Sequence, residues 1–166
     1  YNVVFIALGS AISIIVGQQL GAGKLEEAVD TDCKMIVFSV FCCFVIGACM
    51  FAIAPFFPRI YNTTEEVRGL AKQFIRIASA CMPLYGFMHA TYFTLRSGGR
   101  TVITFLFDSV YIWVVDIPLA FVLTRFTGLP IVSIYLSCQL IEIIKCIIGY
   151  VMVKKKIWVN NMVMEH

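Results

Sequence analysis

Charged residues are scarce in this chain. Only 14% of its 166 residues are charged, 60% are hydrophobic, and the mean hydropathy is +0.89. A soluble domain has about 25% charged residues and roughly 45–50% apolar ones. The net charge of +3 is too small for a surface that binds nucleic-acid phosphates. The composition excludes a disordered chain, a nucleic-acid-binding domain and an ordinary cytosolic enzyme, and it indicates an integral membrane protein.

Catalytic and metal-binding motifs are also missing. The chain has only two histidines, His89 and His166, and contains neither His-Glu-x-x-His nor Gly-x-Ser-x-Gly. Its seven cysteines form no Cys-x-x-Cys motif and mostly lie within apolar runs, where they act as small core residues. We therefore expect no enzymatic activity, no metal site and no organic cofactor.

Long apolar runs dominate the chain. A bilayer core of about 30 Å requires roughly 20 apolar residues in a helix. Five predicted membrane helices meet this length, at about residues 1–20, 35–58, 70–96, 101–125 and 129–153. The predicted fold is all-α, a polytopic bundle of five membrane helices. Because the first run begins at Tyr1 without the features of a signal peptide, we expect the chain to be a piece of a longer one.

The connections between these helices carry most of the basic residues. Successive connections alternate between the two sides of a membrane, which gives one side seven basic residues and the other side four. The positive-inside rule places the richer side in the cytoplasm. The C-terminal residues 159–166 are therefore predicted to form a cytoplasmic tail.

The fourth helix contains two acidic residues that are costly to insert into a bilayer. Asp108 and Asp116 are separated by eight residues, which puts them ~12 Å apart along the helix and roughly 80° apart around it. Pro118 removes one backbone hydrogen bond and predicts a kink. Both acids are candidates for a substrate or ion pathway, and Asp116 is the stronger one. The alternative is that neighbouring polar groups satisfy them in a packed interior.

The third and fifth helices add further polar candidates. Tyr85 and His89 share one face of the third helix, where Pro83 predicts a second kink, and a role in lining a cavity competes with a hydrogen-bonded core position. Glu142 and Lys145 are three residues apart on the fifth helix, a spacing that permits an ion pair. We interpret this pair as structural.

Four segments resemble motifs of one known family, the multidrug and toxic compound extrusion (MATE) transporters. Residues 12–24 resemble the end of the eighth helix of these transporters, and residues 96–101 resemble the Arg-x-Gly-Gly-x-Thr link between the tenth and eleventh helices. Residues 113–120 resemble the Trp…Ile-Pro-Leu-Ala segment, and residues 156–158 the Lys-x-x-Trp-type close. The four motifs occur in the family's order and with its spacing along nearly the whole chain.

The resemblance implies that residues 1–158 form part of a C-terminal lobe, equivalent to helices eight to twelve of a two-lobed transporter. It further implies a plasma-membrane protein that exports small cationic lipophilic compounds by antiport against sodium or protons. The missing N-terminal portion and the lipid bilayer would be its partners. Some branches of the family carry a cation-binding carboxylate in the tenth helix, but this chain offers Tyr85 and His89 there, which leaves the coupling ion open.

Two other functions compete with multidrug efflux. A lipid-linked oligosaccharide flippase of the same superfamily would carry several basic residues in its cavity, whereas the intramembrane charges here are mainly acidic. A non-transporting membrane scaffold or an intramembrane enzyme is the other alternative. The acids at membrane depth argue against a scaffold.

Overall fold

The computed structural model describes residues 2–60 and 64–159. This part of the chain is helical and has no β-strand. Its five helices are α1 (Asn2–Gly21), α2 (Leu25–Ile53), α3 (Glu65–Ser97), α4 (Thr101–Phe126) and α5 (Ile131–Lys154). A short 3₁₀ turn, Phe57–Ile60, lies between α2 and α3. The predicted all-α bundle is confirmed.

Helix α3 is the centre of the bundle. It packs most extensively against α2, then against α1 and α5, and its C-terminal end contacts the beginning of α4. A helix covered on several sides by other helices does not have to be apolar all round. This accounts for the polar residues that α3 carries, because neighbouring helices rather than lipid surround much of its surface.

Four helices are long and apolar enough to cross a membrane, namely α1, α2, α4 and α5. Many of their large apolar side chains are exposed in the described part of the chain, as expected for surfaces in contact with lipid. Helix α3 has 33 residues, which is ~50 Å at 1.5 Å per residue and exceeds the thickness of a bilayer core. Helix α3 is less apolar than the other four helices, and its crossing of the membrane therefore remains a prediction from the sequence.

Two helices begin earlier than the sequence predicts. Helix α2 begins at Leu25 rather than at residue 35, and α3 begins at Glu65 rather than at residue 70. The charged residues before each apolar run mark the edge of the membrane, but the glutamate, lysine and arginine residues among them are good helix formers and continue the helix beyond it. The ammonium of Lys34 lies 2.5 Å from the Asp30 carboxylate one turn earlier, and Thr64 caps α3 by accepting a hydrogen bond from the Val67 amide.

Small residues bring α2 and α3 close together. A Cβ atom added to Gly47 would lie 2.7 Å from the Ser79 carbonyl oxygen, and one added to Gly86 would lie 2.6 Å from Cys43 Sγ. The Ser79 carbonyl is the one that Pro83 leaves without its usual donor, because proline has no amide hydrogen. Pro83 lies inside α3, and glycine on α2 accommodates the freed carbonyl.

Helix α4 is irregular in its middle. Two π-helical segments, Leu106–Val110 and Ile112–Asp116, interrupt its α-helical ends. The Ile117 amide donates to the Ile112 carbonyl five residues earlier. Pro118 follows at once, and a widened turn before a proline relieves the clash between its ring and the preceding carbonyls. The sequence predicts a kink at Pro118, and the structure places the irregularity in the ten residues or so before it.

The segment after α5 folds back onto the bundle. Trp158 is buried, and its carbonyl oxygen lies 1.9 Å from the position that a Cβ atom of Gly98 would occupy. Glycine is therefore required in the α3–α4 link, where Gly99 also has a positive φ of 72°. The predicted tail begins at residue 159, and the rest of it, residues 160–166, lies outside the described residues.

We expect the α2–α3 contact to tolerate no added methyl group at Gly86. The Gly86→Ala variant should lose roughly 1–3 kcal/mol of stability through overpacking against Cys43. Gly69→Ala on the same helix is the matched control, because its Cβ atom meets nothing within 4 Å, and it should be neutral or stabilising. Thermal unfolding in detergent measures both. Equal stability of the two variants would contradict the close contact.

Candidate functional site

A polar cavity of 320 Å³ lies among α1, α3, α4 and α5. It is lined by Ile6, Met88, His89, Tyr92, Phe93, Arg96, Phe107, Asp108 and Lys145. Two of the residues predicted from sequence, His89 and Asp108, therefore line the same cavity. Its volume falls at the small end of the range of about 300–1,000 Å³ that is usual for small-molecule sites.

The charge at the centre of this site is Lys145. Its side chain is only 4% exposed, and its Nζ lies 2.9 Å from Oδ1 of Asp108 on α4. The same ammonium lies 5.4 Å from the ring centroid of Phe107 and 5.6 Å from that of Tyr111. A carboxylate and two aromatic faces thus stabilise a buried cation that would be very unfavourable alone. The Asp108 side chain remains 44% exposed and is part of the cavity lining.

The ion pair predicted between Glu142 and Lys145 is replaced by this contact between helices. The i, i+3 spacing does bring the two residues to one face of α5, and they interact electrostatically. The long lysine side chain, however, extends across to α4 and bonds to Asp108. The ion pair therefore joins α4 to α5 instead of bridging one turn of α5.

Asp116 lies beside Glu142 rather than in the cavity lining. The carboxyl groups are close enough to interact with each other, and Lys145 acts electrostatically on both. One oxygen of each carboxyl, Asp116 Oδ1 and Glu142 Oε2, is buried without a hydrogen-bond partner. The Tyr111 hydroxyl donates a 2.8 Å hydrogen bond to the Ile141 carbonyl next to this carboxyl pair and ties α4 to α5.

His89 and Tyr85 differ in their surroundings. The His89 ring stacks on Phe5 of α1 with 4.9 Å between ring centroids, and its Nδ1 lies 3.0 Å from the Tyr85 carbonyl oxygen. His89 reaches the cavity, whereas Tyr85 packs edge-on against Phe5, 6.1 Å between centroids, and is not part of the lining. His89 therefore both lines the cavity and packs against Phe5 in the interior of the bundle.

Sequence reasoning missed one fully buried acid, Asp32. The Thr94 hydroxyl on α3 donates a 2.6 Å hydrogen bond to Asp32 Oδ1 on α2, while Oδ2 is buried without a hydrogen-bond partner. The predicted helix boundary at residue 35 placed Asp32 in a connection. Its spacing from Ala28 and Ile36, two other buried positions of α2, is the helical signal that could have revealed it.

Comparison with known proteins identifies the family. The sequence profile of the MatE family matches residues 1–122. The chain belongs to the MatE family. MatE proteins are transporters rather than enzymes, which agrees with the absence of catalytic motifs from the sequence.

Two curated MatE relatives are multidrug resistance proteins by name. The chain is 24% identical over 136 residues to "Probable multidrug resistance protein YoeA" of Bacillus subtilis, a match covering 80% of the chain. It is 26% identical over 131 residues to "Probable multidrug resistance protein NorM" of Oceanobacillus iheyensis, covering 75% of it. The matched region spans 28% of the length of each relative. No solved structure matches this MatE chain significantly.

We expect the Asp108–Lys145 pair to stabilise this MatE chain only as an intact pair. Asp108→Asn leaves the buried ammonium without its counter-charge and should cost about 3–5 kcal/mol, whereas adding Lys145→Met removes the unpaired charge and should restore much of the loss. Asp30→Asn is the control, because it breaks an exposed pair worth about 0–1 kcal/mol. Thermal unfolding of the four proteins measures these differences. A double variant as unstable as Asp108→Asn would show that Lys145 has another role.

Proposed function

We propose that this chain is the C-terminal part of a two-lobed MATE transporter that exports small cationic lipophilic compounds. Transport would be secondary active, with sodium or protons moving inward as the compound leaves. Family membership and the names of the two relatives support multidrug efflux. The observation that carries the proposed mechanism is the pair of adjoining carboxyl groups, Asp116 and Glu142, beside a polar cavity.

The α4–α5 contact can exchange one positive charge. Three acids, Asp108, Asp116 and Glu142, share one lysine in this region, so two negative charges remain uncompensated when all the acids are ionised. Adjoining carboxylates at membrane depth are costly, and one proton or one monovalent cation bound between them lowers that cost. Because Asp108 is paired with Lys145, Asp116 and Glu142 are the groups that exchange the coupling ion.

The shape of α4 provides a way to link this exchange to movement. Asp116 ends a π-helical segment, and such segments are frequent at functional sites. In this proposal the segment alternates between π-helical and α-helical bonding. A change in the charge of Asp116 alters the balance between the two backbone arrangements. Pro118 fixes the position of the irregular turn, so that the change stays local.

A second candidate function follows from the lining of the cavity. Arg96 and Lys145 are basic, and Asp108 is the acidic residue among the lining side chains. The sequence suggested mainly acidic intramembrane charges, whereas this lining suits an anionic headgroup. It therefore favours a lipid-linked oligosaccharide flippase as the second candidate. Multidrug efflux remains first because both relatives are named multidrug resistance proteins.

The orientation in the plasma membrane is part of the proposal. The end of the bundle where α1 meets α2, where α3 meets α4 and where α5 ends carries the seven basic residues of the richer side. Anionic lipids and the positive-inside rule favour the cytoplasm for this end. The C-terminus would then be cytoplasmic.

We expect Asp116→Asn in the complete transporter to reduce efflux of ethidium, a permanent cation, more than efflux of a neutral dye. A reduction of about tenfold corresponds to the loss of about 1.4 kcal/mol of interaction with the cation. The dependence of efflux on external pH should also flatten, because the carboxyl group no longer exchanges a proton. Dye efflux from energised cells, corrected for protein level, measures both effects.

The control for this experiment is Asp30→Asn, which removes an exposed carboxylate far from the carboxyl pair and should leave efflux unchanged. The 166-residue chain expressed alone should give no efflux, because its match spans only 28% of the length of each relative. Unchanged ethidium efflux and an unchanged pH profile for Asp116→Asn would show that Asp116 is a packing residue. Transfer of lipid-linked oligosaccharide with no dye efflux by the unmodified transporter would favour the second candidate.

A further inference from the structure

An apolar groove of 530 Å³ lies between α2, α3 and α5, and none of its lining residues belongs to α1 or α4. It is lined by Val29, Cys33, Ile36, Val37, Val40, Phe87, Tyr150, Val153, Lys154, Lys156 and Trp158. Apart from the two lysines, the lining is almost wholly apolar or aromatic. Neither the proposed transport route nor the carboxyl pair uses this groove.

The charged and apolar parts of the groove are separated along its length. Lys154 is the last residue of α5, and Lys156 lies just after it. Val40 and Phe87 lie nearer the middle of α2 and α3. Both lysines are exposed, and no ion pair to an acid is found for either within the described residues. The Lys154 ammonium lies 5.8 Å from the ring centroid of Tyr150, and both residues line the groove.

We propose that this groove binds one anionic phospholipid. An acyl chain would lie along the valines and Phe87, and the phosphate of the headgroup would contact Lys154 and Lys156. A free anion would use the lysines but not the apolar lining, and a neutral lipid would use the lining but not the lysines. Basic pockets between membrane helices bind anionic headgroups in this way, and the end of the bundle concerned is the one rich in basic residues.

The segment that carries the lysines is itself held in place by the bundle. Trp158 is buried against the α3–α4 link at Gly98, and Lys156 adopts a positive φ of 52° where the chain turns back after α5. Because the chain turns here instead of continuing along the helix axis, Lys156 lies at the same groove as Lys154. Lys155, between them, is exposed and is not part of the lining.

Native mass spectrometry of the purified protein in detergent tests the proposal. Phosphatidylglycerol should bind more tightly than phosphatidylcholine with the same acyl chains. Lys154→Gln and Lys156→Gln should each weaken phosphatidylglycerol binding about fivefold, the equivalent of about 1 kcal/mol for a lysine near an anionic lipid. Lys155→Gln removes the same charge one residue away and should have little effect.

A second pair of variants tests the apolar part. Val37→Trp fills the groove and should weaken binding of phosphatidylglycerol, whereas Val45→Trp lies on the exposed surface of the same helix outside the groove and should not. Three results would overturn the proposal. They are equal losses for Lys155→Gln and Lys154→Gln, equal binding by Val37→Trp and Val45→Trp, and binding of soluble glycerol phosphate as tight as that of phosphatidylglycerol.

Discussion

The buried ammonium of Lys145 imposes the main electrostatic constraint on this bundle. A lysine at the middle of a membrane helix costs roughly 2.5–3.5 kcal/mol on the insertion scale, and a nearby counter-charge lowers this cost. Asp108 supplies that charge from α4, and the rings of Phe107 and Tyr111 flank the ammonium. Helix α4 has few buried residues of its own, so this ion pair and the Tyr111 hydrogen bond define its position against α5.

Because Asp108 forms the ion pair with Lys145, the proposed exchange of the coupling ion falls to the two other acids of the α4–α5 contact. Asp116 and Glu142 adjoin each other within reach of the lysine's field, but neither receives its hydrogen bond. A second constraint is steric. Gly47 and Gly86 let α2 and α3 approach closely, and α1 and α5 cover other parts of the α3 surface.

The sequence was sufficient for the fold class, because several apolar runs of membrane length leave few alternatives to a helical bundle. It could not locate the starts of α2 and α3, since charged residues end a membrane segment without ending a helix. The i, i+3 spacing of Glu142 and Lys145 identified a real face of α5 but could not reveal a competing carboxylate on another helix. The π-helical turns of α4 have no signature in the sequence beyond Pro118.

The most direct test of the account is a distance measured on Lys145 in the membrane. Solid-state NMR of the protein in bilayers, with ¹⁵N-labelled lysine and ¹³C-labelled aspartate and glutamate, detects dipolar contacts between the ammonium nitrogen and nearby carboxyl carbons. The account predicts a strong contact from Lys145 to an aspartate that disappears in Asp108→Asn and persists in Glu142→Gln. A strong contact to a glutamate that disappears in Glu142→Gln would contradict it, because Glu142 would then neutralise Lys145 and Asp108 would be the free acid.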